Sequence, residues 1–166
     1  MKKNLLVFVL FILLTGAASA DHPDNKLGLG VMGGWHGVWS SGGGWGYTAL
    51  SLKVPNVPIF WAINLGFSRN HFRLGVSGDI YIFERDLVSD INLHWMIGVG
   101  AWVNFGFGDT KGLEVGARIP IGVSWHVLPF MELFTDVAPS LGFKLAPDFY
   151  FPAGGWPLEI GVRFWL

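Results

Sequence analysis

The sequence predicts an all-β protein, a closed eight-stranded antiparallel up-and-down transmembrane β-barrel. Apolar residues alternate with small or polar residues through almost every segment after residue 26, as happens where successive side chains of a strand point to opposite faces. The chain is also 51% hydrophobic with a mean hydropathy of +0.45. Yet no stretch after residue 20 approaches the 18 or so unbroken apolar residues of a spanning helix. A barrel that crosses a membrane uses its apolar residues in this way, singly and on alternate positions.

The first 20 residues have the organisation of a secretory signal peptide. Two lysines precede an apolar run, Leu5–Leu14, and small residues in an Ala-x-Ala arrangement end at Ala20. A membrane-spanning helix needs about 20 apolar residues, which is more than this run supplies. We therefore predict a cleaved signal peptide, residues 1–20, and a single barrel domain, residues 21–166.

Composition excludes several classes of protein. Without Lys2 and Lys3 the chain carries 9 basic and 12 acidic residues, a formal net charge of −3, which gives no indication of a nucleic-acid partner. The sequence has no cysteine, so neither a disulfide framework nor a lipid-modified N-terminal cysteine is available.

Eight segments carry the alternation. They cover residues 27–39, 45–54, 59–67, 72–82, 91–105, 113–126, 130–138 and 156–166. Each reaches the length of about 9–11 residues that a tilted strand needs to cross the hydrocarbon region. An even number of strands places both chain termini on the periplasmic side of the membrane.

The individual segments differ in clarity. The first has a glycine-rich inner face, including Gly28 and Gly30, which lets a narrow barrel close without clashes. The second is the weakest. The fourth is the clearest, with Arg73 and Asp79 on an inner face opposite a wholly apolar outer one. In a soluble lipocalin-like barrel the apolar face would point inward, but here the charged faces also carry the glycines, which favours a lipid-facing apolar exterior.

Turn-forming residues separate the segments. The predicted periplasmic turns are Pro55–Pro58, Glu84–Asp90 and Leu128–Pro129. The predicted external loops are Ser40–Gly44, Arg69–Asn70, Gly106–Lys111 and Pro139–Gly155. The last is the longest connection and is rich in aromatic residues, so it is the predicted binding loop, with a packed lid over the barrel mouth as the alternative. Its candidate binding residues are Phe143, Lys144, Asp148, Phe149, Tyr150 and Phe151.

Charged residues cluster on the inward faces. This predicted lumen network consists of Arg73, Asp79, Glu114, Arg118, Glu132, Asp136, Glu159 and Arg163. Arginine forks can each hold a carboxylate with two parallel hydrogen bonds, and residues opposite each other on neighbouring strands lie about 5 Å apart. Because an eight-stranded barrel is just wide enough for its side chains to fill, we expect the network to fill and stiffen the lumen. A charged permeation path is the alternative.

No catalytic, cofactor or metal site is predicted. Ser124, His126 and Glu132 are the parts of a nucleophilic triad, but alternation points them into the lumen near a periplasmic turn, away from any outer-leaflet lipid. His36 and His94 are lone inward histidines, and no paired spacing suggests zinc. Aromatic residues predicted to lie at the lipid–water boundary are Trp35, Trp39, Trp45, Tyr47, Trp95 and Trp125.

The last segment carries a second kind of signal. Ile160, Val162, Phe164 and Leu166 lie on one face of the closing strand. This end resembles that of bacterial outer-membrane β-barrels, whose closing strand is apolar at every second position back from a terminal aromatic residue and is thought to be read by the barrel-assembly machinery. Here the terminal residue is Leu166, which departs from the usual Phe.

Over residues 21–166 the chain resembles the OmpA/OmpX-like class of small eight-stranded outer-membrane proteins, and Glu132–Gly142 is similar to a segment of uncharacterised spirochaete-type outer-membrane barrels. The resemblance implies a monomer in the outer membrane of a diderm (Gram-negative-type) bacterium, surrounded by lipid, whose external loops meet ligands, host proteins or other cells. It implies no shared catalytic residues. A narrow channel is the second interpretation, and a lipid-modifying enzyme is the third.

Overall fold

Strands make up most of the chain in the computed structural model, which describes residues 23, 25–39, 44–68, 71–108 and 111–166. The predicted signal peptide lies outside the described residues. The strands are β1 (Gly28–Val38), β2 (Gly44–Lys53), β3 (Phe60–Ser68), β4 (His71–Val88), β5 (Leu93–Gly108), β6 (Gly112–Arg118), β7 (Ile121–Leu128), β8 (Met131–Val137), β9 (Ser140–Ala146), β10 (Tyr150–Ala153) and β11 (Gly155–Trp165). One 3-10 turn, Ser89–Ile91, precedes β5. No helical segment in these ranges is long and apolar enough to cross a membrane.

The strands form a closed antiparallel ring with eight positions. Strands β1 to β5 pair in chain order. The sixth position is shared by β6 and β7, the seventh by β8 and β9, and the eighth by β10 and β11. The ring closes where β11 pairs with β1, from Gly28 opposite Trp165 to Val38 opposite Gly155. The predicted eight-stranded up-and-down barrel is confirmed.

Proline explains why two of the ring positions are split. Pro120 separates β6 from β7, and Pro139 separates β8 from β9, because proline has no backbone N–H to donate to a ladder. Their carbonyls still accept hydrogen bonds from the neighbouring strands, Pro120 from Gly98 (2.8 Å) and Pro139 from Ile119 (3.0 Å). The wall therefore stays continuous across both breaks.

The two ends of the barrel differ. At one end, called the terminal end, Leu27 and Leu166 exchange backbone hydrogen bonds of 3.1 and 2.8 Å, and turns 54–59, 89–92 and 129–130 lie beside them. In the first of these turns Val57 N–H donates to the Val54 carbonyl (3.2 Å). Asn56 has the positive φ (60°) that the third residue of a type II turn requires. The opposite end, called the loop end, is where β1, β3, β5 and β9 end and where β2, β4, β6 and β10 begin. The predicted loops Ser40–Gly44, Arg69–Asn70 and Gly106–Lys111 lie wholly or partly outside the described residues.

Several strands are longer than the alternation predicts. The segment Glu84–Asp90, predicted as a turn, belongs to β4 as far as Val88, and β5 extends to Gly108. The largest difference is the predicted loop Pro139–Gly155, most of which forms β9 and β10. Proline and glycine in this segment indicate a loop by composition, but β9 pairs with β6 as part of the wall and β10 pairs back onto β9.

Side chains sort cleanly between the lumen and the outer face. The lumen towards the terminal end is filled by buried apolar and aromatic groups. These are Met32, Phe60, Tyr81, Met96, Phe134 and Trp165. The outer face exposes large apolar side chains, among them Leu50 (59%) and Ile160 (68%). Such a continuous apolar exterior is far larger than a soluble monomer shows.

Glycine lets the lumen hold these large groups. A Cβ at Gly100 would collide with the Asp79 carboxylate, and a Cβ at Gly161 would collide with the Phe134 ring. The inward glycines are therefore the positions where bulky or charged side chains from other strands cross the interior.

Candidate functional site

The middle of the lumen is held by one arginine between two carboxylates. Arg118 donates from Nε to Asp79 (2.9 Å) and from Nη1 and Nη2 to the two oxygens of Glu159 (3.0 and 2.7 Å). Tyr47 donates its hydroxyl to Glu159 as well. Arg118, Asp79 and Glu159 are all buried, so this cluster crosses the interior from β6 to β4 and β11.

A second cluster lies nearer the terminal end. Arg163 donates to Glu132 (2.8 Å), which also accepts from Ser124 (2.9 Å) and from the Trp165 indole (3.0 Å). The guanidinium lies over the rings of Phe60 and Phe134, at 4.7 and 4.6 Å from their centroids. Charged hydrogen bonds and ring packing together close this part of the lumen.

Two more charged residues belong to this region. Asp136 is the register partner of Glu159 on the neighbouring strand, so the two carboxyl groups are adjacent. Lys53, which sequence reasoning did not place in the network, is fully buried with its Nζ 5.6 Å from the centre of the Phe60 ring. The signal that could have found it is its position two residues after Ser51, on the inward face of β2.

Towards the loop end the lumen is lined by a stack of flat groups. The Trp45 ring lies between His36, at 4.2 Å and nearly parallel, and the Arg73 guanidinium at 4.1 Å. Arg73 also donates to Glu114 (3.1 Å). Trp45 therefore lies inside the barrel, and so does Tyr47, so the prediction that these two belong to the aromatic boundary is wrong. Trp45 and Tyr47 stand at odd positions of β2, whereas the outward Leu50 and Leu52 stand at even positions. The alternation in the sequence therefore already placed these two aromatic residues on the inward face.

The other predicted boundary residues face outward. Trp35, Trp39 and Trp125 are 39%, 51% and 40% exposed, and Trp95 packs against Phe83 with ring centroids 4.7 Å apart. Trp39 is anchored by an indole hydrogen bond to the Ser140 carbonyl (2.8 Å).

The open space in the lumen lies on the loop-end side. A vestibule of about 370 Å³ is bordered by Lys144, Asp148, Tyr150 and Pro152 near the mouth. A cavity of about 40 Å³ lies deeper, beside Asn64, Ser77 and Arg118. His36, Trp45, Arg73 and Trp102 line both spaces and so form the neck between them. Beyond Arg118, the void next to Arg163 measures only about 10 Å³, roughly the space of one water molecule.

The predicted binding loop divides between two faces of the wall. Phe143, Phe149 and Phe151 pack together on the outside, with ring centroids 5.7 and 5.1 Å from Phe143. Lys144, Asp148 and Tyr150 border the vestibule. The six residues are close in space, but only the second group lines the lumen.

Ser124, His126 and Glu132 do come together near the terminal end. The Ser124 hydroxyl donates to the Glu132 carboxylate (2.9 Å), which Arg163 and Trp165 also hold. His126 stands edge-on to His94, with ring centroids 5.7 Å apart, and His94 Nδ1 lies 3.0 Å from Asp86. The acid thus binds the serine and the arginine directly, which is a structural arrangement and differs from a serine–histidine–acid relay. In the described ranges no group of three or more His, Asp or Glu side chains could hold a metal ion.

The C-terminal residues with the predicted assembly signal alternate along β11. Ile160, Phe164 and Leu166 point outward and are 68%, 41% and 69% exposed, and Val162 lies on the same face. Trp165, between them, is buried in the lumen at 2% exposure.

Several solved structures are similar to this fold, and two of them are outer-membrane proteins of known name. Neisserial surface protein A (NspA) matches with a TM-score of 0.51 at 12% sequence identity, over 83% of this chain and 96% of that chain. The N-terminal β-barrel domain of Pseudomonas aeruginosa OprF matches with a TM-score of 0.55 at 12% identity, over 86% and 98%. No protein-family model and no curated protein matches the sequence. The likeness establishes the fold, which is that of the small eight-stranded OmpA/OmpX-like outer-membrane barrels predicted from the sequence.

Proposed function

We propose that this protein is a non-conducting surface-interaction barrel of the outer membrane, with its vestibule open to the outside of the cell. The observation that carries the proposal is the asymmetry of the lumen. Towards the terminal end it is blocked by the clusters around Arg118 and Arg163, and towards the loop end it opens into about 370 Å³. A cup of this kind presents a binding surface without offering a path across the membrane.

The location follows from the exterior and the export signal. Residues 1–20 direct the chain across the inner membrane, and the apolar outer face then takes its place in lipid after cleavage. Bacterial barrels of this type keep both termini in the periplasm, which places the loop end outside. One of the proteins with a similar fold is named a surface protein, in agreement with a surface role.

Two partners belong to this proposal besides an external ligand. Outer-membrane lipid surrounds the apolar wall, and the barrel-assembly machinery reads the outward residues of β11, which end at Leu166. The chain acts as a monomer, because the ring closes through the pairing of its own β11 with β1 and needs no strand from a second copy.

Conductance tests the closed lumen. Refolded protein, shown to be folded because it migrates differently on a gel before and after boiling, is added to a planar lipid bilayer. We expect no single-channel steps. Steady single-channel steps of one size from the folded protein would contradict the proposal and show that the protein is a narrow channel.

Labelling tests the orientation. The chain has no cysteine of its own, so single cysteines can be placed at matched exposed aspartates, Asp148→Cys at the loop end and Asp90→Cys at the terminal end. A membrane-impermeant maleimide added to intact cells should label the first variant only. Labelling of Asp90→Cys alone would mean that the barrel is inserted in the opposite orientation. If neither variant is labelled in intact cells although both are labelled in cell lysates, the protein is not exposed at the cell surface.

A further inference from the structure

The deep cavity is surrounded by polar atoms that the protein itself leaves unused. Asn64 Oδ1, Arg73 Nε and Ser77 Oγ are buried and have no hydrogen-bond partner in the described part of the chain. All three residues line the cavity of about 40 Å³, and Ser77 is only 1% exposed. Buried polar groups are almost always paired, so their number around one cavity indicates something that enters it.

Both arginines beside the cavity already have carboxylate partners. Arg73 is paired with Glu114, and Arg118 is paired with Asp79 and Glu159. What remains is a donor on Arg73, an acceptor on Asn64, the Nε2 atom of His36 and a hydroxyl on Ser77 that can donate and accept. An anion would face the Asn64 oxygen unfavourably, and a cation would face Arg73 unfavourably. Neutral hydroxyl groups, which donate and accept together, satisfy all four atoms.

The shape of the space suits a ring with a polar substituent. The vestibule of about 370 Å³ lies at the small end of the usual range for ligand sites, about 300–1,000 Å³. Tyr150 and Pro152 give its wall apolar surface, against which the C–H face of a sugar ring can pack. The cavity holds about three waters by volume, or one short hydroxyl-bearing arm that passes the neck at Trp45 and Trp102.

We propose that the vestibule and the cavity together bind a neutral sugar unit, with the ring in the vestibule and a hydroxyl-bearing substituent directed to Asn64, Arg73 and Ser77. This inference rests on the proposed function, because it requires the loop end to face outside. The sugar can be a free monosaccharide or the terminal unit of a longer surface glycan, since either presents the same hydroxyl groups to the site.

Calorimetric titration of the refolded protein tests the site. The detergent must have no sugar headgroup, and the probes are glucose, N-acetylglucosamine and a chitin trisaccharide that ends in N-acetylglucosamine. We expect saturable binding of at least one probe. Stronger binding of the trisaccharide than of its monomer would identify a glycan end as the source, and equal or weaker binding would identify a free sugar.

Matched serine variants locate the binding. Ser77→Ala should weaken the affinity about 5-fold, the effect of one lost hydrogen bond, and Asn64→Ala should do so as well. Ser124→Ala, which removes a buried hydroxyl at the other end of the lumen, should leave the affinity unchanged. Gel migration before and after boiling checks that each variant is folded.

Two results would overturn the inference. Absence of saturable binding by all three probes would mean that the cavity holds only water, and binding that Ser77→Ala and Asn64→Ala leave intact would place the sugar elsewhere. Neither result touches the proposed function, because conductance and cell-surface labelling are measured without any sugar. If those two experiments contradict the proposed function, the vestibule does not open to the outside of the cell, and the sugar site proposed here loses its basis.

Discussion

Arg163 and Glu132 form a salt bridge of 2.8 Å between register partners on neighbouring strands, and neither side chain is more than 3% exposed. Glu132 accepts from Arg163, Ser124 and Trp165, so it joins β7, β8 and β11 at the terminal end. A buried ion pair is costly to break, because the remaining charge stays in a site that water cannot reach. This relationship is therefore structural first, and it also blocks the lumen.

Removal of Glu132 should destabilise the barrel much more than removal of Glu114. Glu132→Ala leaves Arg163 buried without its carboxylate, at an expected cost of about 3–5 kcal/mol in the free energy of unfolding. Glu114→Ala leaves Arg73 beside the vestibule, where water can solvate it, and should cost about 1 kcal/mol. Urea unfolding in lipid vesicles measures both. Equal losses would contradict the prediction and mean that burial does not set the cost of breaking these two salt bridges.

Much of the barrel could be predicted because alternation reports which way each side chain points. The same parity places the charged residues in the lumen, but it does not say which of them meet. Arg163 and Glu132 are direct neighbours in register. Arg118, in contrast, lies opposite Ser140 and reaches past it to Glu159. That contact depends on the curvature of the closed wall, which a single sequence does not contain.

In the segment Pro139–Gly155, composition and alternation predict different structures. Its prolines and glycines favour a loop, yet Leu141, Phe143 and Leu145 alternate with Gly142 and Lys144, and this alternation is what β9 follows. Composition predicts a loop and alternation predicts a strand, and the structure has a strand. Consequently the residues predicted to form one binding loop lie on two faces of the wall.

Adjacent cysteine variants can test that division directly. Lys144→Cys should react with a water-soluble maleimide when the barrel is in lipid vesicles, because residue 144 borders the vestibule. Phe143→Cys should react at least about ten times more slowly, since its side chain points to the lipid-facing side. Unfolding in urea provides the control, because both thiols should then react alike. Equal rates in the folded barrel would mean that Phe143 also faces water.

Alanine should destabilise the barrel at Gly100 and leave its stability almost unchanged at Gly33. A methyl group at Gly100 would strike the Asp79 carboxylate and disturb its bond to Arg118, so Gly100→Ala should cost about 1–3 kcal/mol of stability through overpacking. A Cβ at Gly33 would meet nothing closer than the Tyr47 carbonyl at 3.6 Å. Gly33→Ala should therefore change stability by less than about 0.5 kcal/mol. Urea midpoints measured side by side check the pair. A stable Gly100→Ala variant would show that both the Asp79 carboxylate and the Gly78 carbonyl can move aside without loss.

The terminal residue gives a prediction that separates assembly from stability. Leu166 is held by backbone hydrogen bonds to Leu27 while its side chain is 69% exposed on the outer face. Leu166→Phe should therefore leave the urea midpoint within about 0.5 kcal/mol of the original. If the assembly machinery reads this end, the same variant should insert faster into vesicles that contain the machinery and at an unchanged rate into vesicles without it. An unchanged rate in both would mean that Leu166 already serves as well as an aromatic residue, or that the outward face of β11 is not what the machinery reads. Leu166→Asp separates these two outcomes, because it should stop machinery-dependent insertion only if that face is recognised.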